Sequence, residues 1–422
     1  MDRTTDIVIA GGGLNGPVLA LALARLGLDV VMVDKQPAPA RAAAAFDGRG
    51  YALSLASQRL LAALEVWPLV QEAQPLLDIK VSDGRAGQGA ALPFAVHFDH
   101  AELEEGPMGY MVEDRFLYRA LCAALERQGG ITALHGEAVV GQQPGERGIE
   151  VALASGGRIR ARLLVGCDGR QSGVARRAGI ARHGWDYGQT ALVCAIAHEA
   201  PHHGVAHQFF MPAGPLAILP LPGHRSSIVW SETHPMAEAL SALDDAAYLQ
   251  VLQPRFGDFL GRIRLAGQRF RYPLALSVAR CFTGARVALV GDAAHGLHPL
   301  AGQGLNAGLC DVAALAQVVA QAIHRGEDFA SAAVLARYGR WRQFDINLLV
   351  AATDACNSLF SNDSPILRLA RGLGMGLVNA VPPMRRALMR EAAGLVRRTP
   401  DLPDLTRPDP RLFQSRGPHP QP

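Results

Sequence analysis

The apolar run Ile7-Val8-Ile9-Ala10 gives way to a glycine-dense turn. An Ala/Leu-rich stretch of helical length follows, then a second run, Val30-Val31-Met32-Val33-Asp34. Short continuous apolar runs flanking such a stretch predict two strands buried on both faces of a parallel sheet, with a helix between them. Past a loop from Gln36 to Gly50, the spacing predicts a helix over Ser57–Gln71. Residues 77–110 alternate in short segments such as Leu77-Asp78-Ile79-Lys80-Val81, which predicts strands of a second layer. Arg115–Arg127 predicts a helix with Phe116, Leu117, Leu121 and Leu125 on one side, and strands follow at 149–153 and 158–165. From 185 to 276 the pattern turns β-rich, with strands over Ala191–Ala197, Gln208–Met211, Leu216–Pro220, Ser226–Trp230 and Arg269–Leu274. Arg286–Asp292 returns to the buried-strand pattern. A long helix begins near Gly304, and the chain reads as helical with breaks to about Arg398. Prolines at 400, 403, 408, 410, 418, 420 and 422 predict a disordered tail over 399–422.

The turn after the first strand reads Gly11-Gly12-Gly13-Leu14-Asn15-Gly16. In a G-x-G-x-x-G turn between strand and helix, the first glycine permits the tight turn and the second lets backbone approach a pyrophosphate. The third lets helix and strand pack closely. Gly11, Gly13 and Gly16 occupy those places, and the amide groups at the helix start can hold the anion. Asp34, about twenty residues on, is placed to accept hydrogen bonds from an adenosine ribose. The chain therefore binds FAD or NAD(P). The fold class is α/β: a Rossmann-like dinucleotide-binding domain assembled from 1–76, 105–184 and 277–350. A mostly β substrate domain is inserted over 77–104 and 185–276, and a helical carboxyl region covers 351–398.

Composition changes this picture little. At 422 residues the chain exceeds one core, and 49% hydrophobic with 19% charged residues is ordinary for a globular enzyme. A net charge of +3 gives no argument for nucleic acid. Its distribution says more: Ile366–Arg398 holds seven arginines against Glu391, a charge of +6 that leaves −3 on the rest. The six cysteines form no C-x-x-C pair, which suits a reducing compartment and suggests neither a disulfide framework nor zinc. No apolar run reaches the eighteen or so residues that span a bilayer. Residues 7–26 resemble a signal-peptide core, but the glycine turn and the strand after it assign them to the nucleotide unit. The expected location is the cytoplasm, with the surface of the inner membrane as an alternative resting place.

Two further motifs select the cofactor. One is Asp168-Gly169-Arg170-Gln171-Ser172. The other runs Gly291-Asp292-Ala293-Ala294-His295-Gly296-Leu297-His298-Pro299-Leu300-Ala301-Gly302-Gln303-Gly304-Leu305-Asn306. With the first turn, in this order and at these separations, they resemble the class A FAD-dependent aromatic hydroxylases, the para-hydroxybenzoate hydroxylase superfamily, over most of residues 5–320. The run His298–Asp311 and Gly48-Arg49-Gly50-Tyr51-Ala52-Leu53-Ser54 look most like the ubiquinone-biosynthesis hydroxylases, the 2-polyprenyl-6-methoxyphenol hydroxylase group.

The resemblance implies roles for particular residues. Gly291 and Asp292 hold the ribityl chain of FAD, and Gly302 and Gly304 bring backbone close to the flavin. Backbone groups of Leu305 and Asn306 meet its ring, where the helix start would stabilise negative charge on reduced flavin. Asp168 and Gly169 serve FAD and nicotinamide binding. Arg49 and Arg115 lie near the phosphates and ribityl chain, where a guanidinium fork suits a pyrophosphate. Pro299 lines the reaction site beside the reactive flavin edge, with His298 in the pocket wall. His295 is read as structural, since no third ligand accompanies it and His298 for a metal.

The activity implied is NAD(P)H-driven hydroxylation, by O2 and through a C4a-hydroperoxyflavin, of a polyprenyl phenol in ubiquinone biosynthesis. Only one G-x-G-x-x-G unit is present, so NADH or NADPH would visit a surface groove transiently. Alternatives are another aromatic or isoprenoid substrate of the same fold, or an FAD-binding assembly subunit without turnover. The arginine-rich carboxyl region packs on the FAD domain or at a homo-oligomer interface. Alternatively it meets anionic lipid or other ubiquinone-biosynthesis proteins.

Overall fold

The computed structural model describes residues 2–37, 48–83, 96–298, 302–360 and 374–395. The tail 399–422, Pro299 and the apolar residues Ile366, Leu367, Leu369 and Leu373 lie outside these residues.

A six-stranded sheet runs in the order Thr283–Gly284, Val287–Leu289, Leu163–Gly166, Ile7–Ala10, Val30–Asp34, Ile131–His135. It is parallel apart from its first, antiparallel pair. Ile7, Val8, Ile9 and Leu163–Val165 are fully buried, as strands covered by helices on both faces must be. Burying each such side chain contributes roughly 1.5–3 kcal/mol relative to exposure. Register decides the site. Gly166 lies opposite both Ala10 and Leu289, so the three glycine-bearing turns leave the sheet side by side at its carboxyl edge. Ligands of open α/β sheets bind at this edge. Helices Asn15–Ala24 and Gln303–His324 pack together over it.

Opposite this sheet stands an eight-stranded one. Its central path is Ile263–Leu265, Asp186–His198, Arg225–Thr233, Gly214–Leu221, Val205–Met211, Asp78–Asp83 and Val96–Asp99, and Phe270–Ala275 also pairs with Asp186–His198. Asp78–Asp83 reaches it through a parallel pairing with Val205–Phe210. A smaller sheet of Gly50–Ser54, Gly109–Glu113 and Gln74–Leu76 lies at the seam, and Arg182–His183, Ser277–Ala279 and His295–Gly296 form another. Asp2–Thr4, Arg158–Ala161, Ile149–Leu153 and Val139–Pro144 make a four-stranded sheet beside the core.

Several sequence expectations need adjusting. The helix expected over 57–71 is Leu55–Ala63, followed by a single 3-10 turn at Trp67–Leu69 with Pro68 inside it. The β-rich stretch also contains two helices, His234–Ser241 and Asp245–Phe256. The final helices are Ala332–Phe360 and Pro382–Ala392, with helical turns at 374–380 between them. Among the described residues Gln303–His324 is long and apolar enough to cross a membrane, but 67% of its apolar window is buried in the protein.

Candidate functional site

The first turn is built as its spacing requires. A side chain at Gly11 would strike the Cys167 carbonyl oxygen at 2.3 Å, and φ is +110° there. A Cβ at Gly16 would lie 2.0 Å from the Gly11 oxygen. Gly13 differs, because a Cβ there meets nothing within 4 Å. Its backbone faces open space at a helix start with no capping side chain and no acid in its first turn. An unpartnered helix start beside a bare backbone is a cradle for an anion.

Sequence reasoning passed over Gly12. A Cβ there would lie 2.5 Å from Asp34 Oδ2, so the missing side chain lets the acid stand against the turn. Asp34 accepts a hydrogen bond from the Gln36 amide at 3.2 Å.

Asn15 was passed over as well. Its side chain is wedged between Gly291 and Gly308, where added Cβ atoms would meet its Nδ2 at 2.2 and 2.4 Å. Its buried Oδ1 has no partner among the described residues. The first motif is thereby clasped to the third.

The loop carrying Asp292 is pinned from below. Asp311, fully buried on helix Gln303–His324, accepts from the Gly291 amide at 2.9 Å, from His295 Nε2 at 2.6 Å and from Arg342 Nε at 2.7 Å. Burial works to raise the Asp311 carboxyl, but the charges of His295 and Arg342 overcome it and hold the group ionised. His295 therefore stands as a structural member of the motif. From above, Arg182 donates to the carbonyls of Asp292 (3.2 Å) and Ala293. The Asp292 carboxylate itself is half-exposed at the sheet edge, and Arg170 Nε reaches it at 3.4 Å. Arg170, Arg182 and Asp311 carry no local sequence signal for these roles.

Asp168 is held within its own motif. Its carboxylate accepts from the Ser172 hydroxyl at 2.5 Å and the Val174 amide at 3.1 Å, which shapes the turn into helix Gly173–Arg177. Gly169, at φ +80°, leaves open space beside that turn.

The helix start at Gly302–Asn306 forms the fourth wall. Gly302 is left-handed at φ +65°, and a Cβ at Gly304 would meet nothing within 4 Å. Gln303–His324 likewise begins without a capping side chain or a first-turn acid. The Asn306 side chain latches this start to strand Gly50–Ser54. Its Oδ1 accepts from the Ser54 amide (2.9 Å) and the Ser57 hydroxyl (2.7 Å), while Nδ2 donates to the Ala52 and Gly302 carbonyls at 2.8 and 3.1 Å. Leu305 follows Gly304 in the first turn.

Arg49 and Arg115 come together at the start of helix Asp114–Arg127. Arg49 stands 3.7 Å from buried Asp114, which also accepts from the Tyr51 hydroxyl at 3.0 Å. Arg115 donates to buried Glu113 at 2.7 Å. Arg225, from the large sheet, reaches the other Glu113 oxygen at 3.0 Å, so this acid ties the large sheet to the small one that carries Gly109–Glu113.

His298 closes the site against the large sheet, 1% exposed. Gln189 Nε2 donates to the Ala213 carbonyl at 2.8 Å, which presents Gln189 Oε1 to His298 Nε2 at 3.3 Å. That network assigns the proton to Nε2 and leaves Nδ1 a buried acceptor without a partner among the described residues. Burial lowers the His298 pKa to about 4, so the ring is neutral at pH 7. Tyr187 meets it edge-on at 4.9 Å, its hydroxyl also without a partner among the described residues and its pKa raised by burial to about 12.

Two uncapped helix starts, two open glycines and a half-exposed strand-end acid therefore surround one space, and the residues present fit a flavin dinucleotide. Comparison with known proteins agrees. The FAD binding domain family matches residues 4–352. The ubiquinone hydroxylase UbiL of Rhodospirillum rubrum is 45% identical over 407 residues, 96% of this chain and 93% of that protein. The 3-demethoxyubiquinol 3-hydroxylase of Escherichia coli is 35% identical, covering 93% of this chain and 100% of that one. Human mitochondrial ubiquinone biosynthesis monooxygenase COQ6 is 30% identical, covering 93% of each. Among solved structures, p-nitrophenol 4-monooxygenase PnpA of Pseudomonas putida superposes with a TM-score of 0.77 over 94% of this chain and 100% of its own. At 20% identity that likeness speaks to the fold. The chain belongs to the FAD binding domain family and, within it, to the FAD-dependent hydroxylases of ubiquinone biosynthesis. It is an FAD-dependent monooxygenase.

Proposed function

We propose that this monooxygenase hydroxylates the aromatic ring of a polyprenylated phenol on the way to ubiquinone. The observation that carries the reading is the meeting of the open cradle at Gly13, Asp292 and Gly304 with a polar wall in which buried His298 faces Gln189 and half-buried Tyr187 of the large sheet. The Gly11–Gly16 turn and the helix start behind it hold the FAD diphosphate, with Arg49 and Arg115 nearby. Asp34 takes the adenosine ribose and Asp292 the ribityl hydroxyls. Gly302, Gly304 and the amides of Leu305 and Asn306 take the flavin ring. Gly291 and Gly169 serve by leaving room, and Asp168 by shaping the neighbouring turn. Bound FAD would supply the redox chemistry, in which two electrons from NADH or NADPH and O2 give the ring hydroxyl and one water. The protein excludes water and orients the phenol.

At the substrate end, Nδ1 of His298 accepts a hydrogen bond from a phenol hydroxyl. That bond holds the ring in register and increases its electron density. The prenyl tail leaves toward an apolar surface on the carboxyl-terminal helices, where Phe344, Leu348, Leu377, Met384 and Leu388 are exposed. Contact with anionic lipid there would give a water-insoluble tail a route in.

Mass spectrometry of quinone precursors in a strain lacking the protein tests the substrate. A prenylated phenol one hydroxyl short should accumulate and should disappear when the wild-type gene, but not one encoding Asp292→Ala, is restored. A normal quinone profile in the deletion strain would overturn the reading.

A further inference from the structure

Beyond the Arg225–Glu113–Arg115 bridge the protein has a second, unassigned cavity. It measures about 790 Å³, within the range of small-molecule sites, and opens at the end of strand Asp186–His198. Three guanidinium groups line it, those of Arg225, Arg262 and Arg264, together with the imidazoles of His198 and His224. Glu199 is the one carboxylate in its wall. That acid is held by Arg262, with Nε donating at 2.7 Å and Nη2 at 2.6 Å. Arg264 is exposed and makes no ion pair with any described residue. His198 and His224 stack 6.1 Å apart, and burial lowers the His198 pKa, so the stacked wall carries no full charge from that ring. The cavity thus offers planar cationic forks beside a flat aromatic surface.

Its place in the fold limits what it can serve. Gly48, beside Arg49, packs against the backbone of Ala195 and Gln268, and Ala266 donates to the Ala195 carbonyl at 2.9 Å. The cavity therefore lies at the seam between the two sheets. It is one ion-paired link, Arg225 to Glu113 to Arg115, from the corner that faces the flavin phosphates. It is not the flavin's own phosphate site, which is the Gly13 cradle. A polyprenyl phenol carries no anion for guanidinium forks to read. Yet the reaction needs a second anionic dinucleotide, and the chain has only one G-x-G-x-x-G unit to hold it.

We propose that this cavity receives the diphosphate of the nicotinamide reductant, with Arg264 on its oxygens and the His198–His224 wall against a ribosyl or base face. The inference rests on the monooxygenase reading. Guanidinium forks suit phosphate oxygens. Their exposure means that salt screens the contact, which gives the weak, reversible binding a departing reductant needs.

The test follows flavin bleaching when FAD-loaded protein is mixed anaerobically with NADH or NADPH. Arg264→Glu should raise the half-saturating reductant concentration about tenfold or more, and Arg264→Lys should restore most of the loss. FAD content, melting temperature and the limiting reduction rate should not change. ADP-ribose, which has the diphosphate without the nicotinamide, should compete in the wild type and fail to compete in Arg264→Glu. Equal half-saturation in the wild type and Arg264→Glu would overturn the site and leave the enzyme reading intact. Wild-type flavin that neither nucleotide bleaches would overturn the enzyme reading, and this site with it.

Discussion

Single residues divide into those that touch the cofactor and those that hold the touching ones in place. Asp292 is of the first kind: its carboxylate is half-exposed at a strand end whose loop is fixed by Asp311 and Arg182. Truncating it removes charged hydrogen bonds to ribityl hydroxyls without disturbing packing. Asp292→Ala should therefore weaken FAD binding by about 1.5–3 kcal/mol while the melting temperature of the apoprotein holds. Asp34→Ala should do the same at the ribose, with turnover at saturating FAD little changed. Flavin titration of the two apoproteins checks both, and unaltered affinity with lost turnover would reassign the acids. His298 makes a different kind of statement. Its ordinary pKa in the unfolded chain is about 6.5, and burial lowers it to about 4. Between those values the unfolded chain binds a proton that the folded site refuses. The stability this group contributes is complete above pH 6.5 and is lost as the pH falls toward 4. His207, also lowered to about 4 by burial, acts with the same sign. His298→Gln should flatten, without abolishing, the fall in urea midpoint between pH 6.5 and 4. An identical slope in the variant would show that the ring is not held neutral.

At the scale of elements, the glycines of the first turn separate folding from binding. Gly16→Ala would set a Cβ 2.0 Å from the Gly11 oxygen, so helix and turn must part. Gly13→Ala would meet no described residue within 4 Å, yet places a methyl where the diphosphate would lie. The second variant should keep the wild-type circular dichroism and melting temperature of the apoprotein and lose flavin; the first should lose both. Equal FAD uptake by Gly13→Ala and wild type would remove the cradle. This turn was legible because every determinant lies within about thirty residues: strand, glycines, helix and acid in one βαβ unit. The clasp of Asn15 on Gly291 and Gly308 was not, since it joins segments that meet only through sheet register. The same holds for Arg182 and for the two acids that take Arg49 and Arg115. Helices His234–Ser241 and Asp245–Phe256 were missed inside a β-rich stretch, although signals stood in the sequence. Pro235 sits in the first turn of one, and the Asp244 side chain caps the other by accepting from the Ala247 amide at 2.8 Å. Pro382 and Pro383 occupy the first turn of the last described helix, where prolines are tolerated.

Across the whole molecule, the carboxyl-terminal helices look both inward and outward. Pro382–Ala392 buries Met389 against Leu103 and Met108, while Arg385 pairs with Glu102 at 2.9 Å and Arg390 with Glu105 at 3.0 Å. Its other side exposes Met384 and Leu388; Leu377 is 58% exposed, and Phe344 on helix Ala332–Phe360 is 71% exposed. Single apolar residues at a surface need no explanation, but several on neighbouring helices of one carboxyl-terminal region favour an apolar partner. Wild type should float with anionic vesicles and release at high salt, whereas Leu377→Asp/Met384→Asp/Leu388→Asp should stay in the dense fraction with its FAD intact. Equal flotation of both would place the lipid contact elsewhere or nowhere. The central claim concerns what the assembled site does to a phenol. The direct measurement supplies isotope-labelled dioxygen, NADH or NADPH and a short-chain prenyl phenol to the yellow, FAD-loaded protein, and weighs the product. The account expects reductant oxidation to depend on the phenol and one labelled oxygen atom to appear on the ring for each reductant consumed. Reductant consumed with no labelled phenol, or flavin that binds and is never reduced, would contradict it.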